Sequence, residues 1–113
     1  MDRPQIRLRT NGGLTPVRER AIDELRRMVL AALGEHHAEV WLFGSCARGD
    51  VRNASDIDIG ILPGDRLPKG FFGELEADIE ESTIPYHVDV VDLSRVDPTW
   101  LDSIRREGVK WRE

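Results

Sequence analysis

Two aspartates, Asp56 and Asp58, lie two residues apart in the segment from residue 55 to residue 61, whose large apolar side chains are all isoleucine. Strand residues at positions i and i+2 project from the same face of a sheet, about 7 Å apart along the backbone. Two neighbouring anions repel each other, and removing them from water costs free energy unless a cation joins them. The segment therefore predicts an apolar strand that carries a divalent metal site.

Two further features extend this predicted site. Gly44 and Ser45 follow the apolar run at residues 39–43. Glycine lets the backbone approach a ligand closely, and a hydroxyl beside free backbone amides suits a phosphate group. Asp89 lies at the centre of another apolar run, residues 87–93, where burial of an unpaired charge would be costly. If this strand lies beside the strand with the paired aspartates, all three carboxylates can form one cluster.

Three carboxylates with room for phosphate oxygens are typical of a magnesium site with two ions, about 3.5–4 Å apart. In this interpretation, Asp56 and Asp58 are ligands of both ions. Asp89 contacts the ion beside an attacking hydroxyl, where it could also accept the proton. Zinc is disfavoured because the sequence has no Cys/His cluster of suitable spacing.

The apolar periodicity along the chain predicts an α/β (α+β) fold, a small mixed β-sheet flanked by helices. Apolar residues at three- and four-residue spacing predict helices, and short apolar runs bounded by glycine or proline predict strands. The predicted order is a helix from Pro16 to Leu33, strands at residues 39–43 and 57–62, a helix that begins near Phe71, a strand at residues 87–93, and a helix from the cap Asp97 to Arg106.

Size and composition predict one cytoplasmic domain. Residues 1–14 are predicted to form a flexible N-terminal arm and residues 15–113 a single domain. The arm has no apolar core segment, so it is not a signal peptide, and no run in the sequence approaches a membrane span. The single cysteine, Cys46, fits a reducing cytoplasm. The formal net charge of −5 gives no sign of direct nucleic-acid binding.

The spacing of these residues resembles that of a known family. Gly44-Ser45, ten intervening residues and then Asp56-x-Asp58 are similar to the signature of the polymerase-beta-like nucleotidyltransferases, most closely the small minimal nucleotidyltransferases (MNT). The resemblance covers about residues 20–111. It implies the polymerase-beta-like nucleotidyltransferase fold and a Mg²⁺-dependent transfer of AMP from ATP to a hydroxyl.

The resemblance also implies a set of site residues. The implied catalytic and metal-binding residues are Asp56, Asp58 and Asp89, and the implied nucleotide-binding residues are Gly44, Ser45 and Arg48. Alternatives stay open for several of them. Ser45 could cap a following helix, and Arg48 could pair with Asp50 instead of a phosphate. Asp50 and Asp92 compete with Asp89, and His87 is either structural or a hydrogen-bond partner of Asp89.

Small members of this family are often encoded with a HEPN-type ribonuclease toxin and act as its antitoxin. The chain is short for a protein that must also hold an acceptor, so we expect the acceptor hydroxyl, for example that of a tyrosine, to come from the toxin. Two other functions stay open. One is a non-catalytic antitoxin that neutralises the toxin by binding it, and the other is a small-molecule adenylyltransferase.

Overall fold

The computed structural model describes residues 16–44 and 56–112. The elements in chain order are α1 (Pro16–Leu33), β1 (Ala38–Phe43), β2 (Ile57–Pro63), α2 (Phe71–Glu81), β3 (Val88–Asp92), a 3₁₀ turn (Leu93–Arg95), α3 (Pro98–Glu107) and β4 (Val109–Arg112). The predicted α/β fold with a mixed sheet and flanking helices is confirmed. The predicted arm at residues 1–14 lies outside the described residues, so its separation from one domain at residues 15–113 stays a prediction.

Helix α1 buries the apolar stripe that predicted it. The buried stripe recurs every four residues and consists of Ala21, Leu25, Val29 and Leu33. Pro16 occupies the first helical position, where a missing N–H leaves no hydrogen bond unmade. At the other end, Gly34 has φ of 56°, and its N–H donates to the Leu30 carbonyl at 3.0 Å. This left-handed glycine ends the helix at the predicted place.

The four strands form one sheet in the order β3-β2-β1-β4. Strands β1 and β2 are antiparallel, as are β1 and β4, whereas β2 and β3 are parallel. A parallel pair needs a crossover connection, and α2 supplies it between β2 and β3. Among the strands of the described residues, β3 lies at the edge of the sheet, next to β2.

The helices cover the two faces of this sheet unequally. Helices α1 and α2 pack on one face, here called the α1/α2 face, and its buried strand residues are Ala38, Val40, Leu42, Ile57, Ile59 and Ile61. Helix α3 and the 3₁₀ turn pack on the other, here called the α3 face, around a smaller cluster of Trp41, Leu93 and Ile104. The alternation of side chains along each strand separates the two sets.

Helix α3 begins and ends as its sequence predicts. The Asp97 carboxylate accepts a hydrogen bond from the Thr99 N–H at 2.8 Å, and Pro98 occupies the first helical position. At the other end of α3, the Gly108 N–H donates to the Ile104 carbonyl at 2.7 Å. Arg105 of this helix also forms an ion pair with Glu39 of β1, with Nη2 2.9 Å from Oε2. The ion pair joins α3 to the sheet.

Strand β4 is the element that the sequence pattern does not predict. It pairs with β1, and the register shifts between Val40 and Trp41. Its side chains are exposed or only half-buried, so they lack the apolar run by which the other strands were predicted. The Arg112 guanidinium donates to the Gly34 carbonyl at 2.7 Å and joins this strand to the end of α1.

Candidate active site

The sheet register brings Asp58 and Asp89 side by side. Asp58 of β2 pairs with Asp89 of β3, and Phe43 of β1 pairs with Asp58 on its other side. Ile57 and Ile59, which flank Asp58, are buried on the α1/α2 face, so the Asp58 side chain lies on the α3 face. Phe43, Asp58 and Asp89 therefore form a row across the α3 face. The two aspartate-bearing strands are thus neighbours, which is the condition on which the predicted carboxylate cluster depends.

Asp58 is the half-buried carboxylate of this row. Its pKa is raised above the ordinary value, first by the loss of water around it and then by the negative charges of Asp89 and Asp56. The charge of His87 acts in the opposite direction. Burial and like charges both disfavour the ionised form, and a bound cation would reverse that effect.

Gly44 lies directly against the Asp58 carboxylate. Its φ of 76° is in the left-handed region, which glycine adopts at little cost. A methyl group added to Gly44 would overlap Asp58 Oδ2 and would lie 3.6 Å from Asp58 Cβ. Glycine is therefore required at the end of β1, both by the backbone conformation and by the close approach of this carboxylate.

Asp56, His87 and Asp89 form a cluster of ligand atoms beside the row. Each of the three residues offers one atom within 4.8 Å of the other two. His87 Nε2 lies 2.9 Å from Asp89 Oδ1, and that hydrogen bond, followed by the charge of Asp89, raises the pKa of His87. The Ile57 N–H donates to the His87 carbonyl at 3.0 Å and holds His87 beside the start of β2. Carboxylate oxygens with an imidazole nitrogen are a suitable donor set for a divalent cation.

Two details differ from the sequence-based expectation. Asp56 lies just before β2 and is exposed, rather than within an apolar strand beside Asp58. The Asp89 side chain is 50% exposed, so the expectation of a buried charge was wrong. The reason is topological, because β3 lies at the edge of the sheet, where water reaches one side of the strand.

Several candidates are placed elsewhere or lie outside the described residues. Asp92, one rival of Asp89, instead accepts a hydrogen bond from the Ser94 N–H at 3.0 Å and caps the 3₁₀ turn. Ser45, Arg48 and Asp50 lie outside the described residues, so their predicted contacts stay predictions.

The family model of polymerase beta, nucleotidyltransferase, matches residues 33–110, which include both aspartate-bearing strands and Gly44. The chain belongs to this nucleotidyltransferase family. The resemblance that the Gly-Ser and Asp-x-Asp spacing indicated is thereby confirmed.

Relatives of known description place the chain within this family. It is 30% identical over 74 residues to a Haemophilus influenzae protein assigned as the protein adenylyltransferase MntA, and the match covers 66% of this chain and 65% of that protein. The match thus spans slightly less than two thirds of the relative.

Two solved structures share the fold. A structure assigned as a minimal nucleotidyltransferase superposes with a TM-score of 0.66 and 25% identity, covering 87% of this chain and 98% of the other. A toxin–antitoxin structure with AMP-PNP gives a TM-score of 0.60 and 26% identity, covering 76% of this chain and 71% of the other.

An aromatic pair borders the site of this nucleotidyltransferase, and sequence reasoning did not find it. The rings of Phe43 and Trp100 meet edge to face with centroids 5.9 Å apart, and Trp100 is 44% exposed. With Gly44 and Ser103 they line a cavity of about 240 Å³. The tryptophan in the first turn of α3, Trp100, was the signal available in the sequence.

The helices of residues 16–44 and 56–112 include none with both the length and the apolar character needed to cross a membrane.

Proposed function

We propose that this chain transfers AMP from ATP to a hydroxyl on a partner protein, a HEPN-type toxin, and so acts as its antitoxin. The observation that carries the proposal is the row of Asp58 and Asp89 on the α3 face, with Asp56 beside it and Gly44 against Asp58. Membership of the nucleotidyltransferase family supports the reaction type. The descriptions of two relatives, a protein adenylyltransferase and a toxin–antitoxin structure with AMP-PNP, support the donor and the partner.

The carboxylates of the site have the chemistry that magnesium requires. Asp56, Asp58 and Asp89 supply the oxygen ligands that Mg²⁺ prefers, and we assign them as ligands of two ions. The pKa of Asp58 is raised first by burial and then by the charges of Asp89 and Asp56, and this fits the role because a bound cation would stabilise the ionised carboxylate. When bound, Mg²⁺ lowers the pKa of a coordinated hydroxyl and offsets the charge that develops on the phosphates.

The protein residues have separate tasks in the transfer. The hydroxyl oxygen of the acceptor forms a bond to the α-phosphorus of ATP, the bond from that phosphorus to the bridging oxygen breaks, and pyrophosphate leaves. Asp89 is half exposed at an edge strand, so an incoming acceptor can reach it, and we assign it the hydroxyl proton. The backbone at Gly44, together with Ser45 and Arg48, is proposed to hold the triphosphate.

The test is transfer of radiolabelled AMP from ATP to a co-purified partner in the presence of Mg²⁺. We expect the unmodified protein to label the partner, and the double variant Asp56→Asn, Asp58→Asn to lose the labelling. Asp78→Asn is the matched control, because Asp78 is an exposed aspartate on α2 that lies away from the site. Labelling that survives in the double variant would contradict the assignment of these residues.

The same variants separate catalysis from binding. If the double variant still protects cells from the co-expressed toxin while AMP transfer is lost, neutralisation occurs by binding. We place the pair in the cytoplasm, on the basis of the single cysteine.

A further inference from the structure

A groove runs between α2 and β3 and opens onto Asp89. It has a volume of about 310 Å³. Its walls and floor include Glu76, Ile79, Glu80, Ile84, Tyr86 and Asp89. The groove is therefore continuous with the acceptor side of the proposed active site, but most of its lining plays no part in the proposed chemistry.

The position of β3 makes this groove accessible to another protein. In the part of the chain that the structure describes, β3 pairs with β2 alone and is an edge of the sheet. The side chains of His87 and Asp89 are 62% and 50% exposed. A polypeptide that approaches this edge can reach Asp89 while it contacts the groove.

The charged residues that line the groove indicate which kind of polypeptide can bind there. Helix α2 carries five acidic residues and no basic residue in its 11 positions. Only two of these acids, Glu76 and Glu80, line the groove, one helical turn apart on the same flank. Glu74 and Glu81 lie on the other flank of α2, since the buried positions Phe71, Leu75 and Ile79 separate the two sides. The groove lining thus combines three carboxylates, those of Glu76, Glu80 and Asp89, with one titratable base, His87, which is hydrogen-bonded to Asp89. Its net charge is negative even when His87 is protonated.

The groove floor is apolar, in contrast to its walls. Ile79 is buried, and Ile84 and Tyr86 are half-buried. A long basic side chain matches this combination, because its methylene groups can cover apolar surface while its charged end pairs with a carboxylate. A nucleic-acid backbone does not match, since its phosphates would be repelled by Glu76 and Glu80.

We propose that the groove between α2 and β3 docks a basic segment of the acceptor protein, adjacent to the hydroxyl that receives AMP. The inference rests on the proposed function for the identity of the docked protein. The charge match and the continuity with Asp89 rest on the groove itself. Glu76 and Glu80 are specificity-determining residues in this proposal, and neither contacts the reacting atoms.

The experiment compares the binding of two labelled peptides to the full chain by fluorescence anisotropy. Both peptides contain a central tyrosine, which is flanked by arginines in one and by glutamines in the other. We expect the unmodified protein to bind the arginine peptide about fivefold more tightly, the size expected for two partly exposed charge pairs. The variant Glu76→Gln, Glu80→Gln should lose this preference.

The matched control is Glu74→Gln, Glu81→Gln, which makes the same charge change on the opposite flank of the same helix. This control should keep the preference for the arginine peptide. Equal binding of both peptides by the unmodified protein, or equal losses in both double variants, would overturn the inference.

The groove inference and the proposed function fail in different measurements. AMP transfer to a partner without any peptide preference overturns the groove inference and leaves the enzymatic proposal standing. Peptide preference without AMP transfer by the unmodified protein overturns the enzymatic proposal and the acceptor role of the groove.

Discussion

The α1/α2 face of the sheet is closed by apolar side chains, whereas the α3 face carries a row that includes two carboxylates. Ile57, Ile59 and Ile61 of β2 have no exposed surface on the first face. On the second face, the same strand presents Asp58 between Phe43 and Asp89. One strand therefore serves both the core and the site, because successive side chains point to opposite faces.

The difference between the faces has a physical cause. The large cluster on the α1/α2 face removes apolar area from water and supplies most of the stabilisation that burial gives this fold. The small cluster on the α3 face, around Trp41 and Leu93, covers only part of the sheet. The end of the sheet that holds Asp58 and Asp89 can thus remain open to a substrate without loss of the main core.

Substitution of the two aspartates on opposite faces of β3 should change AMP transfer to very different extents. Asp89→Asn should lower AMP transfer about a thousandfold, or about 4 kcal/mol of transition-state stabilisation, because it removes a proposed metal ligand and proton acceptor. Asp92→Asn should leave transfer unchanged, and Asp92→Ala should in addition cost about 1 kcal/mol of stability, because alanine cannot replace the side-chain oxygen that caps the 3₁₀ turn. Initial-rate kinetics and thermal unfolding measure the two effects. Equal losses of AMP transfer in the Asp89 and Asp92 variants would contradict the assignment of catalysis to the α3 face.

A core truncation on the α1/α2 face should affect stability instead of chemistry. Ile59→Ala removes a fully buried side chain and should lower the free energy of unfolding by about 3 kcal/mol. Trp100→Ala on the α3 face should cost less, since its side chain is 44% exposed. Urea titration measures both values. A larger loss of unfolding free energy for Trp100→Ala than for Ile59→Ala would contradict the conclusion that the main core lies on the α1/α2 face.

Gly44→Ala tests the close packing at the end of β1. The added methyl group would overlap the Asp58 carboxylate, and φ of 76° is unfavourable for alanine. We expect AMP transfer to fall about 10- to 100-fold, since small displacements of reacting groups are costly. Gly73→Ala is the control, because a methyl group there would meet nothing within 4 Å and alanine favours a helix. Unchanged transfer in Gly44→Ala would contradict the packing of Gly44 against Asp58.

Loss of the ion pair between Arg105 of α3 and Glu39 of β1 should have only a small effect on stability. The hydrogen bond from Arg105 is the largest cause that lowers the pKa of Glu39 below its ordinary 4.5. Glu39→Gln should cost about 0.5 kcal/mol at pH 7, because the pair is partly exposed. A lowered pKa stabilises the fold above the unfolded-state pKa, so the cost should disappear as the pH falls through the folded-state pKa of Glu39. Thermal unfolding from pH 7 to pH 3 checks this, and a cost independent of pH would contradict the pairing.

The elements with strong periodicity could be predicted from the sequence. The stripe of α1 and the apolar runs of β1 and β2 indicate the type of these elements, because burial on one face imposes the pattern, and each strand is one residue longer than predicted. Strand β4 could not be predicted, since its four residues, Val109–Arg112, are exposed or half-buried and their pairing with β1 depends on tertiary contacts.

For the candidate site, the sequence predicts residue types but not the geometry in which the structure places them. The Asp-x-Asp spacing and the apolar strand around Asp89 indicated carboxylates that meet, and the register brings Asp58 and Asp89 together. The exposure of Asp89 depends on which strand lies at the edge, and the position of Gly44 against Asp58 depends on the β1–β2 register. Neither the exposure of Asp89 nor the contact of Gly44 with Asp58 follows from the residues that are adjacent in the sequence.

Intact-protein mass spectrometry of the partner shows whether the carboxylates of the α3 face support transfer of AMP to that protein. The partner should be co-expressed with the unmodified chain or with Asp58→Asn, each in the same cells. We predict that the partner gains the mass of one or more AMP groups only with the unmodified chain. The same gain with Asp58→Asn, or no gain with the unmodified chain, would contradict this role of the carboxylates.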